Sequence, residues 1–300
     1  MRVDPNMVTD MIAAVQQSQQ TLQTALQQVS TGKSVNQPSD NPAASAQMVQ
    51  NTIETADVDQ YTQNVSSVLS TVQTADSALS SVVSSLTQAI SVGTEGANGT
   101  NSASNEQSLA AQVQGILSSV VSQANTAYQG SYLFGGTATN TTPYTVDVSS
   151  PSGYSYNGNN DVNSVQVGDT LSVQVNIPGS QIFSNANASV LGSLSALVSA
   201  LKSGNTTAIG TATNAVSTAL NYVSQQRVIF GNSESQLNAQ ETFLQQETVN
   251  LSSQATSLVG VNMATAATNL SQAETDNNAA LAAEAKVLPN TLLNYLSPPT

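Results

Sequence analysis

Residues 30–44 read STGKSVNQPSDNPAA, and this stretch decides how the chain folds. Gly32, Pro38 and Pro42 lie close together here, between one amphipathic run and a much longer one. Proline has no N–H to donate and its ring clashes with the preceding turn, so a regular helix does not pass through such a cluster. Lys33, one of only five basic residues among 300, lies in the same stretch. A chain built of long helices is therefore broken near its start, and the two flanks are read separately.

Upstream, Val8, Val15, Leu22 and Val29 recur every seven residues. Met11 and Ala25 take the second heptad position with Ser18 between them, and Ile12 and Leu26 widen the stripe. This is a coiled-coil-like seam. Asp4 and Pro5 suit its start as N-cap and first helical residue, and Gly32 suits its end as a left-handed cap. Downstream, Asn41 and Pro42 repeat the N-cap arrangement. A second helix is expected from Pro42 to about Val92, with heptad positions Val65, Val68, Val72, Ala75, Leu79, Val82, Leu86 and Ala89. Its length would be roughly 75 Å.

GTEGANGTNSAS, residues 93–104, makes a turn. Ser104 and Gln107 fit a capping box that opens a third helix carrying Leu109, Val113, Ile116, Val120 and Ala127. That helix is expected to return antiparallel along the second and to end at YLFGGT, residues 132–137. The texture then changes. YTVDV and SVQVGDTLSVQVNI alternate with period two, and Gly168-Asp169 is a hairpin turn. Helix returns near Asn187 with Leu191, Leu194, Leu197 and Leu201. Then Ile209, Val216, Val223, Phe230, Leu237, Leu244, Leu251 and Leu258 fall every seven residues, with Gly231 inside the run, as one helix with a weak point or two stacked helices. GVN, residues 260–262, breaks it. A last helix from Met263 carries Ala267, Leu270, Leu281, Leu288 and Leu292, interrupted or kinked at Pro289.

The reading is a mainly α chain: a rod of long coiled-coil-like helices, paired terminal arms and a small β-rich insert. The expected divisions are arms over 1–41 with 260–300, helical rod over 42–138 with 187–259, and insert over 139–186. Each arm's stripe is too weak to stand alone in water. Such arms make sense when neighbouring copies complete their seams.

Composition limits the chemistry. Charged residues are 8% of the chain, against about 25% in ordinary soluble proteins. The net charge of −13 and the scattered Arg2, Lys33, Lys202, Arg227 and Lys286 give no basic patch for nucleic acid or an anionic membrane. Without Cys or His there is no thiol nucleophile, imidazole base or usual zinc ligand. Asp57 and Asp59 are two apart and do not share a helix face. NGNNDVN, residues 157–163, has oxygen ligands but lacks the glycine and bidentate glutamate of a calcium loop, and reads as a turn. No catalytic, cofactor or metal site can be named, and the chain reads as a non-enzyme. No run is long enough to span a membrane, and the N-terminus lacks the apolar core of a secretory signal.

Three stretches carry a family resemblance: LQTALQQVSTGKSVNQPSDNPAASAQ (22–47), YQGSYLFGGT (128–137) and NMATAATNLSQAETDNNAALAAEAKVLPNTLLNYL (262–296). The first resembles the N-terminal signature of the flagellin superfamily, and the set is nearer to its hook-associated junction branch than to filament flagellins. The resemblance implies a structural protein of the bacterial flagellum, exported by the type III route without signal cleavage. It would form a ring between the first hook-associated protein and the filament. A cytoplasmic chaperone would cover the C-terminal arm at Leu270, Leu281, Leu288 and Leu292. Residues 31–44 become a spoke between helical layers, hinged at Gly32, Pro38 and Pro42, with the return crossing at Gly260. The self-association residues would be Val8, Met11, Val15, Leu22, Ala25 and Val29 with the four C-terminal leucines. Ser34 stands where the family often has Arg. A filament flagellin is the near alternative and a surface adhesin acting through the insert a distant one.

Overall fold

The computed structural model describes residues 7–296, with side chains over 9–286. Asp4 and Pro5, the expected helix start, lie outside the described residues, as do the side chains of Val8, Leu288 and Leu292. In chain order the elements are α1 (Met7–Thr31), α2 (Pro42–Gly96), α3 (Ala103–Ala124), β1 (Ala127–Tyr128), β2 (Ser131–Tyr132), β3 (Tyr144–Val146), β4 (Tyr154–Tyr156), β5 (Ser164–Gln166), β6 (Ser172–Gln174), α4 (Gly179–Ile182), α5 (Val190–Ser203), α6 (Thr206–Val259) and α7 (Met263–Leu296). The fold is mainly α with a small β insert. Two compact units are formed, Met1–Asp57 with Glu247–Thr300, and Val58–Gln246.

In the Val58–Gln246 unit, the heptad residues of α2 and α6 are the core. Val65, Val72, Leu79, Val82, Leu86 and Ala89 are buried, as are Ile209, Val216, Val223, Phe230, Leu237 and Leu244. α6 is one helix through Gly231, which is exposed. Where the sequence leaves one helix or two open, the unbroken apolar stripe carries the helix across the glycine. The pairing is antiparallel: Gln73 Nε2 donates to Glu234 Oε1 at 3.0 Å. Arg227 grips Asp76 with two bonds, Nε to Oδ1 at 2.9 Å and Nη2 to Oδ2 at 2.8 Å. Those bonds raise the guanidinium pKa above its ordinary value. The pair is about a third exposed, so it fixes register more than it stabilises, contributing about 1 kcal/mol or less.

α3 packs on α5, and Leu109, Val113, Ile116 and Val120 of the one and Leu191, Leu194, Leu197 and Leu201 of the other are all buried. Its N-cap is Ser102, whose side chain accepts from the Asn105 N–H, and not the Ser104–Gln107 box. The helix also ends well before YLFGGT. Asn125 stops it by turning its carboxamide on Tyr144, accepting from the Tyr144 N–H and donating to the Tyr144 carbonyl, both at 2.8 Å. Ala127 lies in a strand, not in the helix.

Three separate antiparallel hairpins form, β1–β2 ahead of the expected 139–186 insert and β3–β4 and β5–β6 within it. The last turns through Gly168-Asp169, as the alternation predicts, with Val165 opposite Val173. Phe134 meets Phe183 edge-on at 5.3 Å, and Tyr144 meets Phe183 at 5.8 Å and Tyr156 at 5.2 Å. Burial pushes the Tyr144 hydroxyl pKa well up, against the bond it shares with Ser184. The polar residues of 157–163 are spent on turn and side-chain hydrogen bonds within the insert. Asn159 Oδ1 accepts from the Thr137 N–H, and the Asn163 N–H donates to Asn176 Oδ1.

Candidate functional site

The spoke, residues 32–41, leaves α1 at a glycine. Gly32 has φ +69°, and its N–H donates to the Gln28 carbonyl at 3.0 Å, closing the helix in the left-handed conformation that L residues with a Cβ disfavour. The chain then pairs with the return crossing. Lys33 and Gly260 form an antiparallel bridge. The Ser34 N–H donates to the Val259 carbonyl at 2.7 Å, and the Val261 N–H donates to the Gly32 carbonyl at 3.1 Å. Ser34 Oγ adds a bond to Val259 at 3.2 Å. Gly260 is needed for a different reason: a Cβ there would collide with the Thr256 carbonyl oxygen, which receives the Gly260 N–H.

Polar side chains that the sequence reading passed over shape the rest of the spoke. Asp40 Oδ2 accepts from the N–H groups of Asn36 and Gln37, both at 2.9 Å. Asn36 Nδ2 donates to the Lys33 carbonyl at 3.0 Å, and Thr31 Oγ1 accepts from the Lys33 N–H at 3.2 Å. The signal lay in the spacing of Asn36 and Asp40, since such side chains close turns on nearby backbone groups. Asn41 is the expected N-cap of α2, accepting from the Ala44 N–H at 3.1 Å. Asn262 does the same for α7, accepting from Ala264 and Thr265. Pro38 and Pro42 are exposed. Beside the spoke, Val35, Pro38, Met48, Val49, Ile53 and Val259 line an apolar groove of about 300 Å³.

α1 and α7 pack together. Val15 and Ala25 are buried, and Met11, Ser18, Leu22 and Val29 are half-buried, so the predicted α1 seam is the face brought to α7. The α7 face is different from the leucine stripe of the sequence reading. It consists of Ala266, Leu270, Ala273, Asn277 and Ala280, while Ala267 is exposed and Leu281 is 42% exposed. Small residues opposite larger ones let the two helices interlock. Among the described residues, two buried polar atoms of this unit have no hydrogen-bond partner, Ser18 Oγ and Asn277 Nδ2. Ile12 (43%) and Leu26 (47%) are exposed, as is Met263. α7 is helical through Pro289, where the sequence suggests an interruption.

Among the described residues, no group of three or more acidic, His or Cys side chains could hold a metal. No described helix is long and apolar enough to cross a membrane. Two sequence profiles match the chain, the bacterial flagellin N-terminal helical region over residues 5–139 and the bacterial flagellin C-terminal helical region over residues 213–296. Together they cover more than two thirds of it.

The chain belongs to the flagellin family.

It is thus a structural, non-enzymatic component of the bacterial flagellum. The N-terminal match includes the spoke and Asn41, and the C-terminal match includes the Val259–Val261 crossing. No curated protein matches in sequence. Among solved structures, a Vibrio parahaemolyticus protein assigned as flagellar hook-associated superimposes with TM-score 0.67 at 21% identity, over 73% of this chain and 99% of that one. FlgL of Bacillus cereus gives 0.60 at 20% identity, over 69% and 99%. The flagellar junction protein FlgL of Legionella pneumophila gives 0.60 at 15% identity, over 71% and 100%. These likenesses are of fold, and they extend over nearly the whole of each of those chains.

Proposed function

We propose that this flagellin-family chain is the hook–filament junction component, closing a ring of identical copies between the first hook-associated protein and the filament. The observation that supports the reading is the fold likeness to hook-associated and junction proteins, which spans 73% and 71% of this chain and nearly the whole of theirs. The arms support self-association. Ile12, Leu26 and Leu281 are large apolar side chains left uncovered in the single chain. From Met11 to Gly32 no residue is charged. Copies carrying −13 each repel one another, and they approach with least repulsion along such a neutral face. The residues proposed for self-association are Met11, Val15, Leu22, Ala25, Val29, Leu270 and Leu281, and Val8, Leu288 and Leu292 are added on sequence spacing alone. Gly32, Pro38, Pro42 and Gly260 set the spoke. The chain is exported without signal cleavage, with a cytoplasmic chaperone on the C-terminal arm.

The test is removal of the chain from its own bacterium. Cells are expected to build hooks, shed flagellin into the medium and carry no filaments, and to recover them when the chain is restored. Long filaments formed by the purified chain alone would overturn this reading in favour of a filament flagellin.

A further inference from the structure

The sequence contains two Asn-Gly dipeptides, Asn98-Gly99 and Asn157-Gly158. This pair is chemically labile. The glycine nitrogen attacks the asparagine side-chain carbonyl carbon, a C–N bond forms and the C–Nδ2 bond breaks. Ammonia leaves, taking up the proton lost by the glycine nitrogen. Water then opens the cyclic imide at either carbonyl, giving aspartate or isoaspartate. The net change is addition of water and loss of ammonia. Ring closure needs an unengaged side-chain amide nitrogen and a backbone able to turn toward the carbonyl carbon.

We propose that Asn98, and not Asn157, is a site of spontaneous deamidation in the folded protein, because only its turn leaves the side-chain amide nitrogen and the following glycine free. Asn98 is exposed between α2 and α3. A Cβ built on Gly99 would meet nothing within 4 Å. Asn98 Nδ2, the leaving group, donates no hydrogen bond among the described residues. Thr100 Oγ1 donates to Asn98 Oδ1 at 3.1 Å, polarising the carbonyl for attack. The turn's backbone bonds are long, Asn98 N–H to Glu95 and Asn101 N–H to Asn98, both 3.2 Å, and Asn101 Nδ2 spans it to the Glu95 carbonyl at 2.7 Å without engaging the Asn98 side chain.

Asn157 is held at its side-chain amide nitrogen and at the following glycine, the two points that Asn98 leaves open. Its Nδ2 donates to Thr145 Oγ1 at 2.8 Å. Its N–H donates to the Pro143 carbonyl at 2.8 Å, and the Asn159 N–H donates to Gly135 at 3.1 Å. The Cβ position of Gly158 is crowded by the Tyr156 hydroxyl and, at 2.7 Å, by the Gly135 oxygen.

The full-length protein is incubated at mildly alkaline pH, folded or in concentrated urea, and the two Asn-Gly peptides are followed by mass spectrometry. In the folded protein Asn98 should convert about tenfold faster than Asn157, the ratio expected when one or two ordinary hydrogen bonds must first break. In urea the two rates should converge. Thr145→Val should speed Asn157 in the folded protein, with circular dichroism confirming an unchanged fold, and leave Asn98 unaffected. Equal rates in the folded protein, or faster conversion at Asn157, overturn the proposal. So does a Thr145→Val protein that is folded and unchanged at Asn157.

Discussion

Gly32 and Gly260 look alike in sequence as helix breakers, yet the structure uses them through different physics. Gly32 supplies a positive φ with open space around it, whereas Gly260 supplies the absence of a side chain against the Thr256 carbonyl. A methyl at Gly260 would push the backbone of α6 away and disturb the Ser34–Val259 and Val261–Gly32 bonds that join the crossings. Gly260→Ala should therefore cost about 1–3 kcal/mol in the unit containing the termini. Gly99→Ala, with nothing within 4 Å, should cost little. Chemical unfolding of the two variants checks the contrast, and equal midpoints would remove the proposed role of close approach. The breaking power of Gly32, Pro38 and Pro42 is plain in the sequence because it is local. The roles of Asp40 and Ser34 are less so. Asp40 closes a turn on Asn36 and Gln37, but Ser34 takes its partner from Val259, a residue far along the chain.

Whole elements were legible where the apolar stripe was strong. The α2 heptad and the α6 heptad through Leu251 are buried where period seven places them, Leu258 is only half-buried beside the buried Val259, and α1 presents its predicted face. The α7 seam was hidden because Ala266, Ala273, Ala280 and Asn277 do not register as an apolar stripe, while the conspicuous Leu281 lies off the seam. The end of α3 was hidden because its cause, the grip of Asn125 on Tyr144, is non-local. The arm seam also carries an uncompensated cost. Burying a polar atom with no partner costs about 1–3 kcal/mol, and both Ser18 Oγ and Asn277 Nδ2 are in that position. Asn277→Leu keeps the side-chain shape and removes the amide, so it should stabilise the α1–α7 pair by about 1–3 kcal/mol. Hydrogen exchange of the α1 amides gives the measurement, with slower exchange expected. Unchanged or faster exchange would mean that Asn277 finds a partner the static pairing does not provide.

For the whole molecule, assembly should fail when the uncovered arm side chains are made unfit for burial. Ile12, Leu26 and Leu281 lie outside the seam that α1 and α7 make with each other. Replacing them therefore leaves the pairing of Val15 and Ala25 with Ala266 and Ala273 untouched. Covering such a side chain with a neighbouring copy is worth about 1.5–3 kcal/mol for full burial, and the contact repeats around a closed ring. An aspartate at the same place would instead have to be desolvated or excluded. The triple change Ile12→Asp, Leu26→Asp and Leu281→Asp should therefore abolish filament attachment while the Val58–Gln246 unit keeps its helical spectrum and thermal transition. The expected phenotype is hooks without filaments and flagellin in the medium. Export has to be measured separately, since Leu281 also lies on the face proposed for the chaperone. The single changes Ile12→Asp and Leu26→Asp leave that face intact and separate the two effects. Exported triple-variant protein that still supports full-length filaments would rule out self-association through these side chains, and would leave the α1–α7 pairing of the single chain as the arms' complete structure.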